Sequence, residues 1–252
     1  MKDVKKDKYT IFTEENINVI KGVTVFILYF LLSYMAGTVI KSLVSIFGVE
    51  YETMNLTIKQ ILLIVYNFLI IILFLFIYKK DIKENWLDFR KNYKKYFREN
   101  IKYWFFALAI MYAANLGIAI IKYSMTGTIS TAENEELIRQ TLAQAPIYTF
   151  VAAAVCAPII EELTFRKSLR CIFSNNFLFI VISSFIFGGL HVFTENVGLV
   201  DLLYLIPYCA PGVAFAVILV KTKNIFSTIS LHLLHNTILM TLQVILLSRG
   251  ML

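Results

Sequence analysis

Charge is scarce in this chain, and so is most of what punctuates a soluble fold. Of its 252 residues only 16% are Asp, Glu, Lys or Arg, with four prolines and ten glycines. A soluble domain carries about 25% charge. Here 58% of the residues are hydrophobic and the mean hydropathy is +0.70, a composition suited to lipid. No Gly/Ser linker, low-complexity tract or internal repeat divides the chain, so a tethered multidomain protein or a solenoid is excluded. The length suits one compact unit. The three cysteines, Cys156, Cys171 and Cys209, are scattered without CxxC spacing. That excludes a disulfide framework and a zinc ribbon, and leaves buried, inert thiols. No apolar core follows a short basic start. The opening "MKDVKKDKYTIFTEENINVIKG" is charged for about twenty residues, so no cleaved secretory signal is expected.

The net charge of +7 would suggest nucleic acid in a soluble protein. In this chain the basic residues crowd the flanks of apolar segments, which the positive-inside rule explains better, and no nucleic-acid partner is expected. A spanning helix needs about 20 mostly apolar residues. Candidate spans fall at 22–47, 60–78, 103–122, 146–165, 177–194, 199–220 and 225–247. The fold class read from this is all-α, a polytopic transmembrane helix bundle of about seven spans. Lys2, Lys5, Lys6, Lys8 and Lys21 flank the first span, nine Lys and Arg lie in 79–102, and Lys221 and Lys223 precede the last span. The 124–145 loop has three glutamates and one arginine. Seven spans put every basic flank on one side, so the N-terminus, the 79–102 and 166–176 loops and the 221–224 turn are expected in the cytoplasm. The 79–102 segment mixes Trp, Tyr and Phe with its basic residues. It reads as an interfacial amphipathic helix or, more plainly, as a solvated connector with aromatic anchors.

A charge inside a span costs about 2.5–3.5 kcal/mol on insertion scales and needs a partner or a function. The last four spans hold Glu161, Glu162, Arg166, His191, Asp201, His232, His235 and Asn236. The first three have little of this kind beyond Lys41. Glu162 and Arg166 are i, i+4 with the glutamate N-terminal, the better order for an ion pair. Glu161 points about 100° away round the helix, which frees it to face a cavity. Pro158 removes the hydrogen bond to the carbonyl of residue 154 and can bend the helix beside them. His232 and Asn236 share a helical face, and His235 lies close to it. Gly188 and Gly189 admit a close neighbouring helix, and "PYCAPG" (207–212) is expected to kink or break the sixth span.

A carboxylate, two histidines and an amide on three helices serve two chemistries. Glu161 and His191 can hold and deprotonate a water that attacks a carbonyl, with His232 and Asn236 donating to the oxyanion. Alternatively Glu and His ligands bind zinc, which activates the water. No HExxH pair is present. An isolated Glu–Arg pair is more often a structural tie or a transport element, and FxxxH or HxxxN alone says little. Their joint, ordered presence on successive apolar segments is more specific.

"EELTFR" (161–166), "FGGLH" (187–191) and "HLLHN" (232–236) fit EExxxR, FxxxH and HxxxN in order. Together they resemble the CPBP family of intramembrane proteases, also called the CAAX-protease and bacteriocin-processing or ABI family, over about residues 145–247. The resemblance implies an all-helical membrane fold with a conical, cytoplasm-facing active-site cavity. Glu161 is then the general base assisted by His191, and His232 and Asn236 form the oxyanion site. Glu162 and Arg166 support them, and His235 has no counterpart. It favours no cofactor, with zinc as the alternative. Members cleave prenylated CAAX proteins in eukaryotes, and bacterial relatives are linked to bacteriocin immunity and pheromone maturation.

The expected organisation is one integrated membrane domain. Residues 1–144 give an N-terminal cytoplasmic segment and three variable transmembrane helices, and 145–252 a catalytic core. The function read from the sequence is an endopeptidase acting at or just inside the cytoplasmic face. Its partners are a hydrophobic or membrane-anchored peptide or protein substrate and the lipid bilayer. The rival reading is a non-catalytic membrane scaffold or bacteriocin immunity protein. The 18 Lys against 6 Arg, with abundant Ile and Asn, point to an AT-rich bacterium and thus to a bacterial cell membrane.

Overall fold

The computed structural model describes residues 13–127, 131–193 and 198–251. The basic flank residues Lys2, Lys5, Lys6 and Lys8 lie outside the described residues. Among the described residues the chain is helical with no strand, the all-α polytopic bundle expected. Six helices are long and apolar enough to cross a membrane. They include α1 (Glu14–Ser45), α2 (Leu56–Ile77) and α3 (Lys79–Thr126). A short helix, α4 (Glu133–Gln144), precedes α5 (Pro146–Ile172). Then come α6 (Asn176–Val192), α7 (Leu205–Thr222, entered through a 3₁₀ turn at Asp201–Tyr204) and α8 (Ile225–Ser248). The remaining expected span, 177–194, is α6, apolar but only 17 residues long, about 26 Å at 1.5 Å per residue.

Helix ends fall where local chemistry puts them. Thr13 accepts a hydrogen bond from Asn16 N–H and caps α1, so the helix starts eight residues before the apolar run. Asn175 and Asn224 cap α6 and α8 in the same way, each satisfying an amide that the first turn leaves free. The 79–102 segment is neither a separate interfacial helix nor a connector. It forms the first half of α3, a single 48-residue helix, because nothing from Lys79 to Leu116 is Gly or Pro. This half packs on the turn between α7 and α8. Asn224 Nδ2 donates to the Asn85 carbonyl at 2.8 Å and to Asp88 at 2.7 Å, and Trp86 and Phe89 meet Phe226.

Two further elements differ from the sequence expectation. Part of the 124–145 loop is the helix α4, with Glu133, Glu135 and Glu136 in its first turn, where acidic groups meet the positive end of the helix dipole. Glu135 pairs with Arg139 at 3.3 Å along the same helix. The fourth span ends at Ile172 rather than 165. Its polar end is satisfied by Lys167 bonded to Asp81 at 2.5 Å and by Arg170 on the Phe173 and Ser174 carbonyls.

The core gathers Phe74, Tyr78, Leu163, Phe165, Leu169 and Phe179, all buried, where α1, α2, α5 and α6 meet. By contrast α1–α3 expose Ile27, Leu31, Ile72, Phe76, Phe105 and Phe106. Apolar surface this extensive is out of place in water and suits lipid contact. The close approach expected at Gly188 is present. A Cβ there would lie 2.5 Å from Cys209 Sγ, and one at Gly212 3.2 Å from Ser184 Cα. α6 and α7 cross at these two positions. α7 runs on through Pro211 without a break.

Candidate active site

Five of the polar residues singled out from the sequence, Glu161, His191, His232, His235 and Asn236, line one cavity, with Glu162 and Arg166 buried behind it. α5 carries the carboxylates, and its winding is unusual. Two stretches, Ala152–Cys156 and Glu162–Ser168, are π-helical and bracket an α-helical piece, Ala157–Glu161. π-helical turns of this kind are rare and occur often at functional sites. Pro158 is part of the cause, because it has no N–H to give. Ala157 N–H reaches back to the Ala152 carbonyl. The Ala153 carbonyl therefore has neither an α nor a π partner on its own helix, and Asn236 Nδ2 of α8 donates to it at 2.8 Å. The sequence placed the orphaned carbonyl at residue 154. The wider winding moves it one residue back.

Glu162 and Arg166 form the expected pair, Oε2 to Nε at 3.6 Å, with both side chains fully buried. Arg166 also donates to Ser183 Oγ at 3.3 Å and lies over the Phe187 ring at 4.8 Å. Glu161, 15% exposed, does point elsewhere, toward the cavity. His232 joins the two glutamates. Its Nδ1 is 3.0 Å from Glu162 Oε1 and its Nε2 is 3.6 Å from Glu161 Oε2. Phe215 stacks on its ring at 4.7 Å. An ionised carboxylate only accepts, so the Glu162 contact puts a proton on Nδ1 and leaves Nε2 facing Glu161.

The other two histidines are fixed differently. His191 Nδ1 lies 2.8 Å from the Phe187 carbonyl oxygen, which requires the proton on Nδ1 and leaves Nε2 to accept. Its ring stacks on Tyr208 at 5.0 Å. His235 Nδ1 accepts from the Trp104 indole N–H at 3.2 Å, so in its neutral form Nε2 carries the proton. Glu161, His191, His232, His235 and Asn236 all line one cavity of about 440 Å³. α5 extends to Ile172, so Glu161 sits near the middle of its span rather than at its end.

Sequence reasoning missed several parts of the cavity. α3 supplies Asn115, α4 supplies Asn134, Glu135 and Arg139, and Gln243 of α8 binds Glu135 at 2.7 Å. Asn115 and Gln243, polar residues within apolar runs, were the available signal. Asp201 stands apart from the buried set, paired with Lys122 at 2.9 Å. Among the described residues no group of three His, Cys, Asp or Glu side chains is placed to hold a metal ion. The donor set does not fit zinc as it stands.

The chain matches, over residues 143–238, the family model described as type II CAAX prenyl endopeptidase Rce1-like. All three motifs lie inside that stretch. Over 126 residues the chain is 34% identical to a Bacillus subtilis (strain 168) protein named "Putative membrane peptidase YdiL", covering 49% of this chain and 48% of that protein. Over 101 residues it is 30% identical to the UPF0177 protein YaiH of Lactococcus lactis subsp. lactis (strain IL1403), covering 40% of each. The chain thus spans about half or less of the curated relatives it matches. No solved structure matches it.

Proposed function

We propose that the chain is an intramembrane endopeptidase that hydrolyses a peptide bond in a hydrophobic or membrane-anchored peptide or protein. The observation that carries this reading is His232 held between Glu162 and Glu161 at the base of a cavity, within the Rce1-like stretch. Residues 145–252 form the catalytic core, and α3 of the N-terminal part adds a wall.

Each group has one role. Glu161 accepts a proton from a water while His191 Nε2 accepts the water's second hydrogen and aims its lone pair at the substrate carbonyl carbon. Glu162, neutralised by Arg166, holds Nδ1–H of His232 and fixes the ring. In this step His232 presents an Nε2–H to the cavity. As Glu161 takes the water proton it loses its charge, and the Nε2–H turns to the growing oxyanion. Asn236 uses one amide hydrogen on the Ala153 carbonyl and offers the second to the oxyanion. On collapse the C–N bond breaks and Glu161 returns its proton to the leaving amine, giving one carboxylate and one amine product.

The test compares the purified wild type and Glu161→Gln in detergent on a library of fluorogenic apolar peptides, with and without chelator. Cleavage by wild type alone, indifferent to chelator, is expected. Loss with chelator and recovery with zinc would move the assignment to a metal. Equal cleavage by both proteins would remove Glu161 from the reaction.

A further inference from the structure

Among the described residues the cavity is lined from one end of the bundle, and it is not the basic end. Contacts sort the helix ends into two sets. Lys167 with Asp81, Tyr78 with Ser168 and Asn224 with Asp88 gather the start of α3, the end of α5 and the α7–α8 turn at one end. Lys122 with Asp201 and Glu135 with Gln243 gather the end of α3, α4, the approach to α7 and the end of α8 at the other.

The cavity belongs to the second set. Its wall comes from Asn115 and Ala119 late in α3, Asn134 of α4, Tyr204 and Tyr208 at the start of α7, and Leu246 at the end of α8. Nothing from 79–110, 162–186 or 212–231 lines it. Below Glu161 and His232 the way is closed. Arg166, Phe165, Phe179 and Tyr78 are each at most 1% exposed, and they fill the space toward the first end.

The first end is also the basic one. It has the nine Lys and Arg of 79–102 together with Lys21, Lys167, Arg170, Lys221 and Lys223. The cavity end has Lys41, Lys59, Lys122, Arg139 and Arg249. Lysine and arginine in short loops stay in the cytoplasm. The family resemblance implies a cytoplasm-facing cavity, whereas the charge distribution of this chain sets the mouth on the other side. We infer that the Glu161–His232 cavity is entered from the face of the membrane opposite the cytoplasm, so that it takes peptides presented outside the cytoplasm or in the outer leaflet. That a peptide enters rests on the proposed peptidase activity; the side on which the cavity opens does not.

The experiment reads the side without needing catalysis. The full chain, with its three native cysteines as background, is expressed with one added cysteine at a time. The sites are Gln140→Cys on α4, Asn115→Cys on the cavity wall and Lys95→Cys at the basic end. Intact cells are treated with a membrane-impermeant maleimide. Gln140→Cys and Asn115→Cys are expected to label as fully as after permeabilisation, and Lys95→Cys only after it. Labelling of Lys95→Cys in intact cells with Gln140→Cys protected would overturn the inference. So would an unreactive Asn115→Cys beside a reactive Gln140→Cys, because the mouth would then be shut on that face. A peptide added outside intact cells and cleaved by wild type but not by Glu161→Gln would join direction to activity. Outside labelling without any cleavage would fault the peptidase reading and leave the direction standing.

Discussion

His232 Nδ1 lies 3.0 Å from Glu162 Oε1, and the opposite nitrogen of the same ring faces Glu161 at 3.6 Å. One imidazole therefore divides two adjacent glutamates into different tasks. Glu162 is fully buried and held from both sides, by His232 and by Arg166. Glu161 touches the ring at longer range and keeps contact with the cavity.

Replacing Glu162 is accordingly a stability experiment. Glu162→Ala strands Arg166 as a buried cation, and breaking a buried pair in this way costs about 3–5 kcal/mol. The expected result is a lowered thermal midpoint in detergent and a poor yield of monodisperse protein. The double variant Glu162→Ala/Arg166→Met, which removes both charges, should recover much of that loss.

Glu161→Gln should do the reverse. The side chain keeps its shape beside the cavity, so the thermal midpoint should stay close to wild type. Hydrolysis should fall by about 10²–10⁴-fold, the usual contribution of a general base. A peptide-cleavage rate measured beside a melting curve on the same preparation separates the two effects.

Much of this division was legible before any coordinates. The i, i+4 spacing of Glu162 and Arg166 predicts the pair, and the 100° offset frees Glu161. What spacing could not give was the partner of each histidine, because that depends on which helices cross and at what height. His235 accepts from Trp104, 131 residues away in sequence, and no periodicity reports such a meeting. The helicity of 79–102 was hidden for another reason. Its charge resembles a loop to a hydropathy scan, yet nothing in it interrupts a helix, and its polar residues are matched to the α7–α8 turn. The winding of α5 was beyond reach too, since Pro158 signals a lost hydrogen bond but not the π register that shifts it.

Asn224 tests the docking of the basic half of α3. It caps α8 by accepting from Phe226 N–H at 3.0 Å and donates to Asn85 and Asp88. Asn224→Ala removes the cap together with the contacts to the half-buried Asn85 and Asp88, at a cost of about 0.5–2 kcal/mol. A lower thermal midpoint is expected, with faster proteolysis within 79–102 because that half-helix loses its anchor.

A pair of glycines in α1 gives a matched comparison. A Cβ on Gly22 would sit 2.6 Å from the Ser168 carbonyl oxygen, while nothing lies within 4 Å of one on Gly37. Gly22→Ala should push α1 off α5 and cost about 1–3 kcal/mol as overpacking. Gly37→Ala should be neutral or stabilise by about 0.4–1 kcal/mol through the unfolded chain. Melting curves of the two variants measured side by side check both signs.

Asn236 and Pro158 should be coupled although they sit on different helices. Asn236 donates to the Ala153 carbonyl at 2.8 Å, the acceptor that Pro158 leaves without a helical donor. Asn236→Ala should cost about 0.5–1.5 kcal/mol for the lost bond to that half-buried carbonyl, together with the amide proposed to face the oxyanion. Pro158→Ala restores a backbone N–H within reach of the Ala153 oxygen. In the double variant the carbonyl is served from its own helix, so the stability loss should shrink by a coupling energy of about 0.5–1.5 kcal/mol. Activity should not return with it, because no backbone amide replaces the second Asn236 hydrogen. A double-mutant cycle read in both melting temperature and peptide cleavage would separate the two parts. Recovery of stability alone assigns Asn236 a structural bond and a reacting one; recovery of both would leave it only the first.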